Sequence, residues 1–193
     1  NDQQRSEGKL EEYVALGSAL RASGEPEEAA LLLERARLMY PGRTEVNKVL
    51  AHAYLDQGQT NTAAGLIYEA AQWDPSLIGE ASELYRRAGR PYRALMLNGQ
   101  ISDQQVKFRQ RLALLLELQR YEQAAAMEQD LRRTGLIDDE DIRYALAYAV
   151  FKAGDFDQAE AHLQVLTRPD LFRKAAELRR AIQDCSEDQW KCL

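Results

Sequence analysis

The sequence predicts an all-α protein of stacked antiparallel helix pairs. Leu and Ala greatly outnumber Ile, Val and Thr, a mixture that favours helices over strands. A pattern also recurs: Leu16-Gly17, Gly24, Ala29, Ala36 and Pro41 are answered 34 residues later by Leu50-Ala51, Gly58, Ala63, Ala70 and Pro75. The five-residue step from turn glycine to helix alanine then returns at Gly89 with Ala94 and at Gly154 with Ala159, and a weaker copy carries Leu112-Ala113, Tyr121 and Ala124. A fixed period of this length is the signature of repeated helix pairs, in which small residues let two helices approach and Gly supplies the positive φ of the turn between them.

Each later element follows from local chemistry. Asp74-Pro75 opens the third pair, with Asp as N-cap and Pro at the first helical position. Its second helix runs from Pro91 to about Asn98 and is short, because Asn98-Gly99-Gln100-Ile101-Ser102 reads as a break. Ser102 followed by Gln105 resembles a capping box opening the next helix. In the fourth pair the turn Glu117-Leu118-Gln119-Arg120 lacks glycine and reads as one residue tighter. Beyond Thr167-Arg168-Pro169, the segment from Leu171 to Asp184 sets Leu171, Ala175, Leu178 and Ile182 on one face, as a capping helix would. The chain thus divides into an extension over 1–9, a repeat array over 10–167, and a capping helix with a cysteine-containing tail over 168–193.

Composition narrows the function. With 25 Lys plus Arg against 31 Asp plus Glu, the net charge of −6 opposes binding to a phosphate backbone, so no nucleic-acid partner is expected. Charged residues interrupt every apolar stretch well short of the roughly 20 residues that cross a bilayer, so no membrane-spanning segment is expected. His52 and His162 fall in different repeats, read as helix-surface residues, and have no Cys or carboxylate at the spacing of a zinc, nucleophile or acid–base site. The run Asp138-Asp139-Glu140-Asp141 lacks the alternating spacing and central Gly of a calcium loop and reads as a helix N-terminus. No enzyme activity, cofactor or metal is expected.

The slots Tyr13, Leu16, Gly17, Leu20, Ala29, Leu33, Ala36 and Pro41, then Asn47, Leu50, Ala51, Tyr54, Ala63, Ile67, Ala70 and Pro75, resemble the tetratricopeptide repeat family. The resemblance extends from residue 10 to about 167. It implies a right-handed α-solenoid of about five repeats that binds a protein or peptide on its concave face, which the first helix of each pair lines. The implied groove positions are Glu11, Val14, Ser18 and Arg21; Glu45, Lys48, His52 and Leu55; Ser76, Gly79, Glu83 and Arg86; and Asp141, Tyr144, Tyr148 and Phe151. The family's carboxylate clamp uses several Lys and Asn residues, and here only Lys48 is present among these positions, so a clamp for an acidic chaperone tail is not expected.

Two surface features stand out for partner binding. Tyr144, Tyr148 and Phe151 share a helical face, suited either to partner recognition or to packing against the capping helix. Arg86, Arg87, Arg90 and Arg93 cluster about the turn of the third repeat, either to receive a partner's carboxylates or to form a solvated face paired with Glu80 and Glu83. The chain's two cysteines, Cys185 and Cys192, flank a short tail and read as a pair, which requires the final helix to stop near Cys185 and leaves Trp190 to be buried in the closed loop. With the absence of an initiator Met, that pairing points to an exported, periplasmic protein, the alternative being two free thiols in the cytoplasm. The expected function is a scaffold or adaptor for a bacterial envelope complex of transport, secretion, pilus or polysaccharide export. The alternatives are a cytoplasmic regulatory or assembly chaperone, or a self-oligomerising repeat protein.

Overall fold

The computed structural model describes residues 2–188 and 192, with Asp2 described by its backbone alone. It is helical throughout the described residues, with no strand. Two compact units meet in sequence at Ser102 and Asp103.

The first unit holds three helix pairs: α1 (Asp2–Ala22) with α2 (Pro26–Met39), α3 (Thr44–Asp56) with α4 (Thr60–Ala70), and α5 (Ile78–Arg87) with α6 (Pro91–Asn98). Residues 2–9, read from sequence as an extension, are continuous with α1. Pro26 opens α2 with Glu27 and Glu28 in its first turn and Arg37 in its last, the charge order that a helix dipole favours. Gly17 of α1 faces Leu33 of α2 too closely to admit a Cβ, and the buried seam continues through Ala29 and Ala36. Ala63, Ile67 and Ala70 repeat that seam in α4. Asp74 caps a 3-10 turn, Pro75–Leu77, by accepting from the Ser76 amide at 3.2 Å and the Ser76 hydroxyl at 2.6 Å, and α5 follows directly. Within two pairs a buried polar side chain of the first helix donates to a carbonyl of the second: Asn47 Nδ2 to Leu66 O at 3.1 Å and Ser82 Oγ to Ala94 O at 2.8 Å. A polar group left unpaired there would cost about 1–3 kcal/mol, so these bonds fix how the two helices face each other.

The second unit comprises α7 (Gln104–Glu117), α8 (Tyr121–Ala125), α9 (Glu128–Arg133), α10 (Glu140–Lys152), α11 (Phe156–Gln164) and α12 (Pro169–Glu187). The second helix of the fourth pair is thus broken into α8 and α9. The N-cap of α7 is Asp103 rather than Ser102: its carboxylate accepts from the amides of Gln105 at 2.9 Å and Val106 at 3.1 Å. A carboxylate one residue later offers the helix N-terminus a charge as well as a lone pair, and it displaces the hydroxyl.

The turn of the fourth pair is not tighter than the others. Gln119 takes φ 55°, standing five residues before Ala124 as the turn glycines stand before their alanines. The same closing bond runs from the amide after the left-handed residue to the carbonyl five residues back in all five turns. It joins Glu25 to Leu20, Gln59 to Tyr54, Arg90 to Tyr85, Arg120 to Leu115 and Asp155 to Val150, at 2.8–3.1 Å. The turn geometry is therefore kept, and Gln119 adopts the strained backbone that glycine relieves elsewhere.

The acidic run before α10 is spent on helix ends. Asp139 caps α10 through the Asp141 amide at 3.0 Å and accepts from Arg109 at 2.8 Å. Glu140 accepts from the Thr167 amide, the Thr167 hydroxyl and the Arg168 amide at 2.6, 2.7 and 2.9 Å, tying the start of α12 to the start of α10. Along α12, Leu171, Ala175 and Leu178 are buried against Ala147, Leu163 and Leu166, with Ile182 packed at the margin. The helix runs two residues past Cys185, yet the Cα atoms of Cys185 and Cys192 are 5.6 Å apart and their sulfurs lie at disulfide distance. Trp190, expected in the closed tail, lies outside the described residues.

Candidate functional site

In the first unit the implied groove residues sit on α1, α3 and α5, apart from Ser76 in the 3-10 turn before α5. Lys48 and His52 are one turn apart on α3, Lys48 half-buried and His52 exposed, and neither has a hydrogen-bond or ion-pair partner among the described residues. Glu83 and Arg86 fork together on α5, Arg86 Nε to Glu83 Oε2 at 3.0 Å and Nη2 to Oε1 at 2.7 Å. Arg21 of α1 makes a similar fork to Asp56 of α3 at 2.7 and 3.3 Å. Arg21 and Arg86 are thus matched on this face, while Lys48 has no ion pair among the described residues and its charge helps to lower the Asp74 pKa, after the Ser76 hydrogen bonds.

The arginine cluster divides into two kinds. Arg86 is held by Glu83, and the Arg93 guanidinium lies 4.5 Å from the Tyr85 ring centroid and 5.8 Å from that of Tyr68, a cation–π sandwich that covers the end of the pair. Arg87 and Arg90 are exposed, with no ion pair among the described residues.

The tyrosine stripe of the second unit is packed rather than open. Tyr144, Tyr148 and Phe151 are half-buried against the core formed with α12. Tyr148 meets Tyr121 edge-on at 5.9 Å, Phe151 meets Phe156 at 5.7 Å, and Lys174 of α12 lies over Tyr144 at 5.9 Å. Burial pushes the Tyr144 hydroxyl pKa up, with Glu177 adding to it. Burial likewise raises that of Tyr121, joined by its hydrogen bond with Tyr148.

His162 is not a surface residue. It is 2% exposed, with Nε2 3.3 Å from the Glu128 carboxylate, which Arg132 Nη2 also holds at 2.7 Å and Gln158 at 3.1 Å. Burial lowers its pKa despite that carboxylate, and Arg143 and Arg132 push it the same way. The sequence signal was positional: His162 lies three residues after the buried Ala159 and directly before Leu163 on the short α11.

Among the described residues no group of three or more His, Cys, Asp or Glu side chains is placed to hold a metal, and no helix is long and apolar enough to cross a membrane. Sequence reasoning did not single out the exposed apolar side chains of the first unit. Leu31 and Leu38 of α2 are 71% and 79% exposed, and Trp73 is 69% exposed, its ring 3.2 Å from where a Cβ on Gly42 would stand. Comparison of matched repeat positions carries the signal, since the second pair has Gly65 and, just beyond α4, Gln72 where α2 has Leu31 and Leu38.

Residues 20–87 match the tetratricopeptide repeat family model. No curated protein matches the chain. Among solved structures, one described as a functional characterisation of PilF from Pseudomonas aeruginosa is similar over 97% of this chain and 88% of its own, at 15% identity and a TM-score of 0.59. The MamA protein is similar over 87% and 90%, at 16% identity and a TM-score of 0.64. YrrB, described as a TPR protein with an unusual peptide-binding site, is similar over 79% and 81%, at 14% identity and a TM-score of 0.60. At these identities the likeness concerns the fold: the chain is folded as tetratricopeptide repeat proteins are, and residues 20–87 are similar in sequence to that family's repeat.

Proposed function

We propose that this chain is a non-catalytic interaction scaffold that receives an extended peptide or helix of another protein on the α1, α3 and α5 face. The observation that carries the reading is the exposed His52 one turn from Lys48, neither with an ion-pair partner among the described residues, whereas Tyr144, Tyr148 and Phe151 are packed on Lys174, Tyr121 and Phe156. YrrB, with the same fold, is described as having a peptide-binding site. Lys48 favours a partner with a carboxylate at this point, while Arg21 and Arg86 are already matched by Asp56 and Glu83. We place the scaffold in the bacterial periplasm, supporting an envelope complex of transport, secretion, pilus or polysaccharide export. The support is Cys185 and Cys192 at disulfide distance, a pairing that persists in oxidising compartments.

A photo-crosslinking residue at His52, with another at the exposed Asn61 of α4 as control, tests both parts in native envelope and cytosol fractions. The expected result is one envelope protein captured from position 52 and not from 61, its affinity reduced ~10-fold by Lys48→Glu, about 1.4 kcal/mol. Equal capture from both positions would refute the face, and capture from cytosol alone would place the scaffold there, as a regulatory or assembly chaperone.

A further inference from the structure

We propose that a second copy of this chain docks antiparallel on α2, along the stripe Glu28, Leu31, Arg35 and Leu38. The four residues are spaced three, four and three apart, which sets them on one face of the helix in the pattern of a helix–helix seam. All four are exposed, whereas the opposite face of α2 buries Ala29, Leu33 and Ala36. The repeat itself does not require the two leucines, since the equivalent positions of the second pair are Gly65 in α4 and Gln72 in the turn after it. In the same pair, Leu16 of α1 is 52% exposed, although its counterparts Leu50, Ala81 and Leu146 are fully buried. Those counterparts are covered by a preceding helix pair, and in the described residues nothing covers Leu16.

Charge names the occupant. Of the other charged side chains on α2, Glu34 accepts from Arg37 at 3.2 Å and Tyr54 at 3.0 Å, and Arg37 also donates to Glu69 at 2.7 Å, while Glu27 in the first turn is exposed without an ion pair among the described residues. Glu28 and Arg35, one on either side of Leu31, have no ion pair among the described residues. A two-fold axis passing beside Leu31 and Leu32 sets Glu28 opposite Arg35 of the second copy and, by symmetry, Arg35 opposite its Glu28, with the two Leu31 side chains in contact between them. Leu38 then reaches the second copy's turn at Gly24, where a Cβ would meet nothing within 4 Å. An apolar centre flanked by two symmetric ion pairs fits a second α2 and gives it a single direction. This surface is separate from the α1, α3 and α5 face, so either reading can fail without the other.

Sedimentation of the full chain from ~1 to ~100 μM tests the docking, with circular dichroism to confirm that each variant folds. The expected result is a dimer whose Kd rises at least ~10-fold for Arg35→Glu and for Glu28→Arg and returns toward the parent value in the double exchange. Leu31→Cys should form an interchain disulfide readily and Leu38→Cys should not, since the two positions 38 lie roughly 20 Å apart along the antiparallel pair. A monomer at every concentration overturns the proposal. So does a dimer indifferent to both charge changes, or one cross-linked equally well through position 38.

Discussion

Replacing Gly17 by Ala sets two effects of known size against each other at one atom. In the middle of α1, Ala is favoured over Gly by about 0.8–1.0 kcal/mol of helix propensity. A Cβ at this position would, however, stand 2.7–2.8 Å from Cγ, Cδ1 and Cδ2 of Leu33. Leu33 is fully buried, and the contact includes its branching carbon, so no flexible tip can swing aside. Overpacking of this kind costs about 1–3 kcal/mol, which leaves Gly17→Ala destabilising by ~1 kcal/mol. Gly65→Ala is the control: it sits inside α4 with its nearest neighbour, the Tyr85 hydroxyl oxygen, at 3.9 Å, and should stabilise by up to ~1 kcal/mol. The decisive assay is a double-mutant cycle by urea denaturation of the full chain. Leu33→Ala alone should cost about 2–5 kcal/mol. In that background Gly17→Ala should become stabilising, because the clash is gone and the methyl partly fills the space, giving a coupling of ~2 kcal/mol. Additivity within about 0.5 kcal/mol would show that the helices can slide apart at no cost and would refute Gly17 as the residue that sets their approach.

Three further outcomes follow from particular residues. Gln119→Gly should stabilise by roughly 1 kcal/mol, since Gln119 holds φ 55° in a turn that glycine occupies in the other four pairs, and an unchanged denaturation midpoint would refute that strain. His162 has its pKa lowered in the folded state, so the unfolded chain binds the proton more readily. Stability should therefore be full above about pH 6.5 and decline as pH falls toward the depressed folded value, a loss that His162→Gln removes and that denaturation at pH 7.5 and 5.5 will measure. In protein from its native compartment, alkylation without reduction should leave Cys185 and Cys192 unlabelled, with a mass two hydrogens below the dithiol. Reduction should loosen α12 by ~2 kcal/mol in the chain-entropy model, seen as faster hydrogen exchange near Leu178 and Ile182, whereas two labelled thiols would remove the argument for export.

What the sequence determined by itself is the helix pair and where the glycine-bearing turns close it. The 34-residue recurrence, the interhelical alanines and the turn glycines are local or nearest-neighbour requirements, and such requirements must be met within a short stretch of chain. Asp139 as a helix cap and Leu171, Ala175 and Leu178 as the buried face of α12 were legible for the same reason. What only the tertiary structure decided is which side chains remain available to another molecule. Tyr144, Tyr148 and Phe151 have the spacing of a binding stripe, but Lys174 of α12, Tyr121 and Phe156 are brought against them and leave them half-buried. Arg86 and Arg93 look like free cations until Glu83 and the rings of Tyr85 and Tyr68 are brought beside them. Gln119 could be seen to take the glycine's place only from its backbone angle, because the turn's closing hydrogen bond specifies a conformation rather than a residue type. His162 is buried by Glu128, Arg132 and Gln158, which reach it from α9 and from its own helix. Helix periodicity records which face a residue shares, but burial depends on what the rest of the chain lays over that face, and this is fixed by contacts distant in sequence.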